Sequence, residues 1–359
     1  MWGLNLELVE ILKMIAPGTQ IREGLDNILK AKTGALIVIG DSKEVMEIVD
    51  GGFNINVDYT PARLYELAKM DGAIILSEDL KRILFANAQL MPDASIPTTE
   101  TGTRHRTAER VSKKTGNIVI SISQRRGIIT IYNSNERYVL EDTSRVAAKA
   151  NQALQTVEKY RKVFDNKINR LNEYEFNDIA TLELLIETIQ RCEMLMKIAD
   201  EVRKAVYELG TEGRLISMQL DELIDGVEKE EKLLFKDYVV KKDPIDAYNE
   251  IKKLSYEELF KTPIIAGILG MKETDNFDEV TIYARGYRVL SKIPRMPANI
   301  VDNLVKKFKS FQHLLSADIK ELDTVDGIGE VRARTIIQSL KRMHPGCRRP
   351  GRSRALRAD

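Results

Sequence analysis

The sequence predicts an α/β N-terminal domain with a mixed sheet, followed by an all-α helical spine and an all-α module of short helices. Three observations carry this. Up to about residue 140, apolar segments of strand length alternate with helical periods. From about 141 to 240, apolar residues step by threes and fours without a strand-like run. Beyond about 241 the helical stretches shorten, and Gly-Ile-Gly stands at 327–329. A chain of 359 residues fits two or three domains. The expected division is 1–140, 141–285 and 286–343, with a disordered basic tail at 344–359.

The elements follow in order. Leu6, Val9, Leu12 and Ile15 recur at helical spacing before Pro17-Gly18. A second helix is expected over Thr19 to Ala31. The apolar run from Ala35 to Gly40 has the length and Val/Ile content of a buried strand. Thr60-Pro61 starts a helix running to Met70, with a capping hydroxyl and proline at the first helical position. Gly72 to Ser77 and Arg82 to Ala88 form a hairpin, and a Pro/Thr-rich loop covers Met91 to Thr103. His105 to Lys114 is helical, and Ile118 to Ser123 pairs with Ile128 to Tyr132. In the spine, one stripe runs from Val146 to Leu171, a second from Leu182 to Leu209, and a third from Leu215 to about Phe235. Their polar faces mix both charge signs, which suits a spacer bundle and not a membrane-surface helix.

The charge balance is split. The whole chain carries +1, from 55 basic and 54 acidic residues. Residues 286–359 hold 16 Lys/Arg and 7 Asp/Glu, a net of +9, which leaves −8 for the rest. A basic end on a near-neutral protein suits nucleic acid at that end. The tail supplies +4 of the +9, so the module 286–343 itself holds +5. The tail also has the composition of a cloning or frameshift remnant.

Other counts narrow the classes. Cys192 and Cys347 lie 155 positions apart, which argues against a disulfide framework and for a cytoplasmic, reducing setting. Histidines occur only at 105, 313 and 344, without zinc-ligand spacing. No apolar run is long enough to span a bilayer, and no signal peptide is visible. A P-loop is absent, so Walker-type ATP hydrolysis is not expected.

The segment Leu322 to Arg334 has the form of a helix-hairpin-helix. Gly327 and Gly329 allow a tight turn and close approach of Ile328 and its flanking backbone to another surface. Unpaired amides at the next helix start can receive phosphate oxygens, and Arg332 and Arg334 add charge there. Such contacts position a protein on DNA without reading sequence. The bland alternative is an ordinary helix-helix turn with glycine as a cap. An upstream segment, Ile293 to Ile300, looks like the first hairpin of a tandem pair but lacks the glycines.

Two N-terminal clusters can carry chemistry. Asp71-Gly72-Ala73 sits at a strand entry, placing a carboxylate at a sheet rim. Thr101 to Thr107 packs hydroxyls, Arg104, His105 and Arg106 into a helix start, an anion site by composition. Ser123, Arg125 and Arg126 lie in the turn of the next hairpin. One carboxylate beside a phosphate site is the minimum for a divalent metal shared with a nucleotide. Taken singly, Asp71-Gly72 also reads as a plain turn, and Arg104 to Arg106 as a solvated helix start.

Asp-Gly-Ala at 71–73 with Arg-His-Arg at 104–106 resembles the signature of the diadenylate cyclase family. With the spine and terminal hairpin, nearly the whole chain, about Leu6 to Met343, resembles the DNA-integrity-scanning branch of that family; only the Arg-rich tail departs from it. The resemblance implies condensation of two ATP into cyclic di-AMP with release of two pyrophosphates. It implies an octamer, branched DNA such as recombination intermediates as partner, and Mg²⁺ or Mn²⁺ as cofactor. It implies that Asp71 helps hold the metal and favours deprotonation of the attacking 3′-hydroxyl. Gly72 and Leu90, beside Ala73, would line the adenosine pocket. Thr103, Arg104, His105, Arg106 and Thr107 would cradle the triphosphate, with His105 near the metal or α-phosphate. Ser123 and Arg125 or Arg126 would contact phosphate oxygens. The alternative is a non-enzymatic DNA-binding scaffold that senses nucleotide. A nuclease is a weaker reading, because no carboxylate cluster suits two metals.

Overall fold

The computed structural model describes residues 6–239, 241–271 and 276–344. The chain divides into two compact units, one of residues up to 152 with 203–217, the other of 153–202 with residues from 218 onward. The expected tail after His344 lies outside the described residues.

The first unit opens with α1 (Leu6–Met14) and α2 (Gln20–Lys30). Thr19 caps α2 by accepting from the Arg22 backbone N–H at 3.3 Å, and Ile21, Leu25 and Ile28 bury one face. The run β1 (Ala35–Ile39) is buried at every position, as a central strand covered on both faces must be. A short helix α3 (Lys43–Met46) and two strands, β2 (Val49–Asp50) and β3 (Phe53–Asp58), follow. Sequence periodicity does not announce these three. β3 lies largely exposed at an edge, with Asn56 at φ +41°, and so lacks an apolar signature. Then come α4 (Pro61–Leu67), capped by Thr60 and ending one turn short of Met70, β4 (Ala73–Leu76) and β5 (Arg82–Leu90). α5 (Thr103–Thr115) precedes the meander β6 (Ile118–Ser123), β7 (Ile128–Asn133) and β8 (Glu136–Leu140).

The sheet runs β2-β5-β4-β1-β6-β7-β8, with β3 also paired to β5. Among the described residues only β1 and β4 pair in parallel, so the sheet is mixed, as expected. Strand alternation sorts the core into two layers. Ala35, Ile37 and Ile39 pack with Ile21, Leu25 and Leu64 on one face. Leu36 and Val38 pack with Val45, Ala108 and Val111 on the other, beneath α3 and α5.

Register brings several strand ends to one edge of the sheet. The parallel pair Ile37↔Ile74 and Ile39↔Leu76 sets Gly34 and Gly72 at the same end. The antiparallel pair Ala35↔Ile122 brings Ser123 there. Ala73↔Ala88 does the same for the Leu90 end of β5.

The long helices α6 (Thr143–Phe176) and α7 (Leu182–Leu209) contribute residues to both units. α8 (Arg214–Ile224) and α9 (Val227–Tyr238) replace the single third stripe, because Gly226 at φ +72° breaks it. α10 (Pro244–Lys253), α11 (Tyr256–Leu259) and α12 (Thr262–Ile268) follow. The chain continues with α13 (Tyr287–Ser291), α14 (Ala298–Phe308), α15 (Phe311–Ser316), α16 (Ile319–Asp323) and α17 (Glu330–Met343). Among the described residues no helix is long and apolar enough to cross a membrane. Cys192 is a free, buried thiol whose pKa burial pushes up.

The second unit contains a cluster of buried charge. Arg288 is fully buried; its Nη1 donates to Glu175 at 2.9 Å and its Nε to Glu230 at 3.2 Å. The Asp237 carboxylate accepts from the backbone N–H groups of Gly286, Tyr287 and Arg288 at 2.7, 2.7 and 3.0 Å, capping α13. Removing one member of such a set strands the others without water. Arg288→Ala is therefore expected to cost about 3–5 kcal/mol in urea unfolding of the helical unit. A loss below about 1 kcal/mol would show that the cluster is not structural.

Candidate functional site

The rim defined by Gly34, Gly72, Ser123 and Leu90 carries the first unit's charged motifs. Gly72 has φ +92°, and a Cβ there would lie 2.8 Å from the Asn87 carbonyl carbon and 2.9 Å from the Ala88 oxygen. Both conformation and space demand glycine, and the turn leaves Asp71 exposed at the rim. Ala73 is fully buried and Leu90 is buried with Val45 and Val111, so both lie behind the rim surface.

α5 begins at the same edge. Its N-cap Gly102 is extended and provides no side-chain cap, so the first-turn amides are open to an anion. Arg104 crosses the start of β1, where a Cβ on Gly34 would run into its guanidinium. Thr103 and Arg106 are exposed, and the Thr107 hydroxyl donates to the Thr103 carbonyl at 3.1 Å. The turn between β6 and β7 closes with Gly127 at φ +60° and its N–H on the Ser123 carbonyl at 2.8 Å. That turn holds Arg125 and Arg126 in solvent. The topology thus brings every N-terminal candidate to one end of the sheet.

The loop before α5 is strapped to it. Glu109 accepts from the Thr98 hydroxyl at 2.5 Å and from Lys113 at 2.7 Å, and Lys113 also donates to the Pro97 carbonyl at 3.0 Å. The strap positions Glu100 over β7. There, Tyr132 donates to Glu100 at 2.9 Å, Arg137 Nε donates to the same oxygen at 2.5 Å, and His105 Nδ1 lies 3.0 Å from the Tyr132 hydroxyl. Burial holds the His105 pKa below its ordinary value, Glu100 opposes this, and Arg137, Arg126 and Arg104 add to the lowering. Glu100, Tyr132 and Arg137 are not evident from sequence motifs. Tyr132 and Arg137 meet only through the β7–β8 register.

No group of three or more His, Cys, Asp or Glu forms a cage among the described residues. The donors expected from the sequence are Asp71 and His105, whose Nε2 the Tyr132 contact leaves aside. A small divalent cation takes one or two carboxylates and completes its shell with phosphate and water, so these donors fit a metal shared with a nucleotide.

The second unit carries the hairpin. The loop from Thr324 to Gly329 joins α16 to α17, with Gly327 at φ +84° and Ile328 buried. Gly329 has φ −105° and open space around its missing Cβ, so nothing within the described chain requires glycine there. Val331, in the first turn of α17, is 82% exposed, an apolar tip that charge and glycine counting passed over. Arg332 bonds the Gly327 carbonyl and Arg334 pairs with Glu330 at 2.5 Å. The loop between α13 and α14 repeats this geometry three residues before its helix, with Arg295 at φ +60° where the second hairpin has Gly327. Its N-cap is Pro297 in place of Gly329, so one outward amide is missing.

Three family models match the chain. The "DisA bacterial checkpoint controller nucleotide-binding" model covers residues 22–137, and the "DisA bacterial checkpoint controller linker region" model covers 140–277. A "SAM-like Helix-hairpin-helix tandem" model covers 287–342. The DNA integrity scanning protein DisA of Acetivibrio thermocellus is 57% identical over 339 residues, 94% of each chain. Those of Clostridium tetani and of Clostridium botulinum strain Eklund 17B are 55% and 54% identical, each over 94% of this chain and over 94% and 96% of the relative.

Gly72→Ala tests the rim. Although the position is exposed, strain and the clash with β5 are expected to cost about 1–3 kcal/mol in the denaturation midpoint. A variant within about 0.5 kcal/mol of the parent would contradict this geometry.

Proposed function

The chain belongs to the DisA family and is a diadenylate cyclase by that membership, and we propose that it condenses two ATP into cyclic di-AMP and two pyrophosphates. The observation that carries the reading is the convergence at one sheet edge of an exposed carboxylate, an uncapped helix N-terminus and four arginines. In this reading the α5 amides, Thr103, Arg104, Arg106 and Thr107, together with Ser123, Arg125 and Arg126, hold the triphosphate. Gly72, Ala73 and Leu90 form the adenosine side. Asp71 accepts or orients the proton of the attacking 3′-hydroxyl. Asp71 and His105 would hold Mg²⁺ or Mn²⁺, which supplies charge neutralisation on the phosphates.

Each 3′-oxygen must attack in line on the α-phosphate of the other ATP. A domain holding one ATP cannot do this alone, whereas two facing domains on a two-fold axis can. An octamer built through such pairs fits that requirement. We propose functional segments at 1–140, 141–285 and 286–343, with cyclase, spine and DNA contact in that order, and branched DNA as the partner. A cytoplasmic setting fits these substrates.

Asp71→Asn is expected to lower cyclic di-AMP formation about 10²- to 10⁴-fold, read by chromatography with ATP and Mg²⁺ or Mn²⁺. Full activity in that variant would sink the assignment. ATP binding without product by the parent protein would instead support a nucleotide-sensing scaffold.

At the DNA end, phosphate contacts predict affinity that falls linearly with log salt and varies little with sequence. Gly329→Ala should fold normally yet bind about tenfold more weakly, the equivalent of one lost hydrogen bond at close approach. Unchanged binding by this variant in a fluorescence-anisotropy titration would remove the hairpin from the interface.

A further inference from the structure

The chain Arg137–Glu100–Tyr132–His105 has a direction that its donors and acceptors impose. Arg137 Nε can only donate, and it lies 2.5 Å from Glu100 Oε1. The Glu100 carboxylate can only accept. The single proton of the Tyr132 hydroxyl therefore points to Glu100, 2.9 Å away. With its proton committed, the Tyr132 oxygen can only accept at His105. The 3.0 Å contact then requires the proton of the neutral ring to be on Nδ1.

We propose that Glu100, Tyr132 and Arg137 are positioning residues that fix His105 as its Nδ1–H tautomer and present Nε2 as a bare lone pair at the nucleotide site. This deepens the cyclase reading and rests on it for its kinetic arm. The remaining surroundings already supply donors: the open helix amides and the guanidinium groups of Arg104 and Arg126, whose charge reaches His105. One more N–H aimed at phosphate would add little there. A lone pair among them suits a different partner, the divalent cation that accompanies the triphosphate. A free imidazole in water favours the opposite tautomer, so the relay imposes a state that the ring would not choose alone.

The test reads the tautomer directly. Protein labelled with ¹³C and ¹⁵N at histidine, free of nucleotide and metal, has three histidines, and His105→Gln assigns the signal. Magic-angle-spinning NMR should find Nδ1 protonated and Nε2 bare at His105. Tyr132→Phe keeps the buried ring but removes the hydroxyl, and Glu100→Ala keeps the hydroxyl but frees its proton. Both variants should move His105 toward the Nε2–H tautomer. Tyr132→Phe should also lower kcat about 10- to 100-fold with little change in KM for ATP. A parent ring protonated on Nε2, a tautomer unchanged in Tyr132→Phe, or a variant with full kcat would each overturn the proposal. Should the parent make no cyclic di-AMP, the cyclase reading fails while the tautomer result still judges the relay.

Discussion

The parallel pairing of β1 with β4 is the constraint on which the N-terminal site depends. Parallel neighbours cannot be joined by a tight turn, so the chain must cross over between them. The crossover contains α3, β2, β3 and α4, and it delivers the chain back to the same edge at Asp71-Gly72. The antiparallel β6 then enters from the far end and exits at Ser123, on that edge. A carboxylate, a helix start and a basic turn, separated by about thirty and twenty residues in sequence, become neighbours in this way. Gly72 is where the constraint is tightest, because the returning chain passes within contact of the β5 backbone.

Buried charge has a different role in the second unit. Lys252 bridges Glu193 at 2.7 Å and Glu231 at 2.9 Å, with both carboxylates essentially buried. Burial, and the repulsion from Glu193, raise the Glu231 pKa, while Lys252 opposes this. Similar sets elsewhere contribute little net stability relative to apolar replacements, because desolvation offsets attraction. Their physical consequence is directional. Asp237 fits only a helix start bearing three free amides, and Arg288 only a pocket offering Glu175, Glu230 and Asn172. The set ties α13 to α6 and α9 through directed bonds, which apolar contacts do not supply.

Much of the fold is legible in local chemistry. Thr60-Pro61 opens a helix because hydroxyl and fixed φ both favour it, and Ala35 to Ile39 forms a strand because both faces are covered. Asp71-Gly72-Ala73 and Arg104-His105-Arg106 stand out as candidates by residue type, and the sheet brings them to one end. What escapes is whatever depends on register. β3 and β8 gain their identity from neighbours and not from an apolar period. Glu100, Tyr132 and Arg137 are ordinary residues until the β7–β8 register pairs the last two and the strapped loop brings Glu100 to them. Arg288 reads as a surface residue by type, yet it is the largest of the fully buried side chains.

The tandem hairpin carries an asymmetry that bears on how DNA is held. Both loops place a residue in the left-handed region three positions before their helix, so the two backbones turn alike. Arg295 adopts that conformation against the preference of a side chain with a Cβ, whereas Gly327 does so freely. At the N-cap the loops diverge in what they can donate: Pro297 has no N–H, and Gly329 has one with clear space beside it. The first hairpin therefore has the shape of a phosphate turn without its full complement of donors. In the proposed contact, the second, with the exposed Val331 beside it, would supply most of the donors. On the proposed DNA contact, a module with a charge of only +5 and one complete hairpin would hold a duplex weakly on its own. In the proposed reading, with several hairpins on one DNA, affinity would follow how many of them the DNA's geometry engages together.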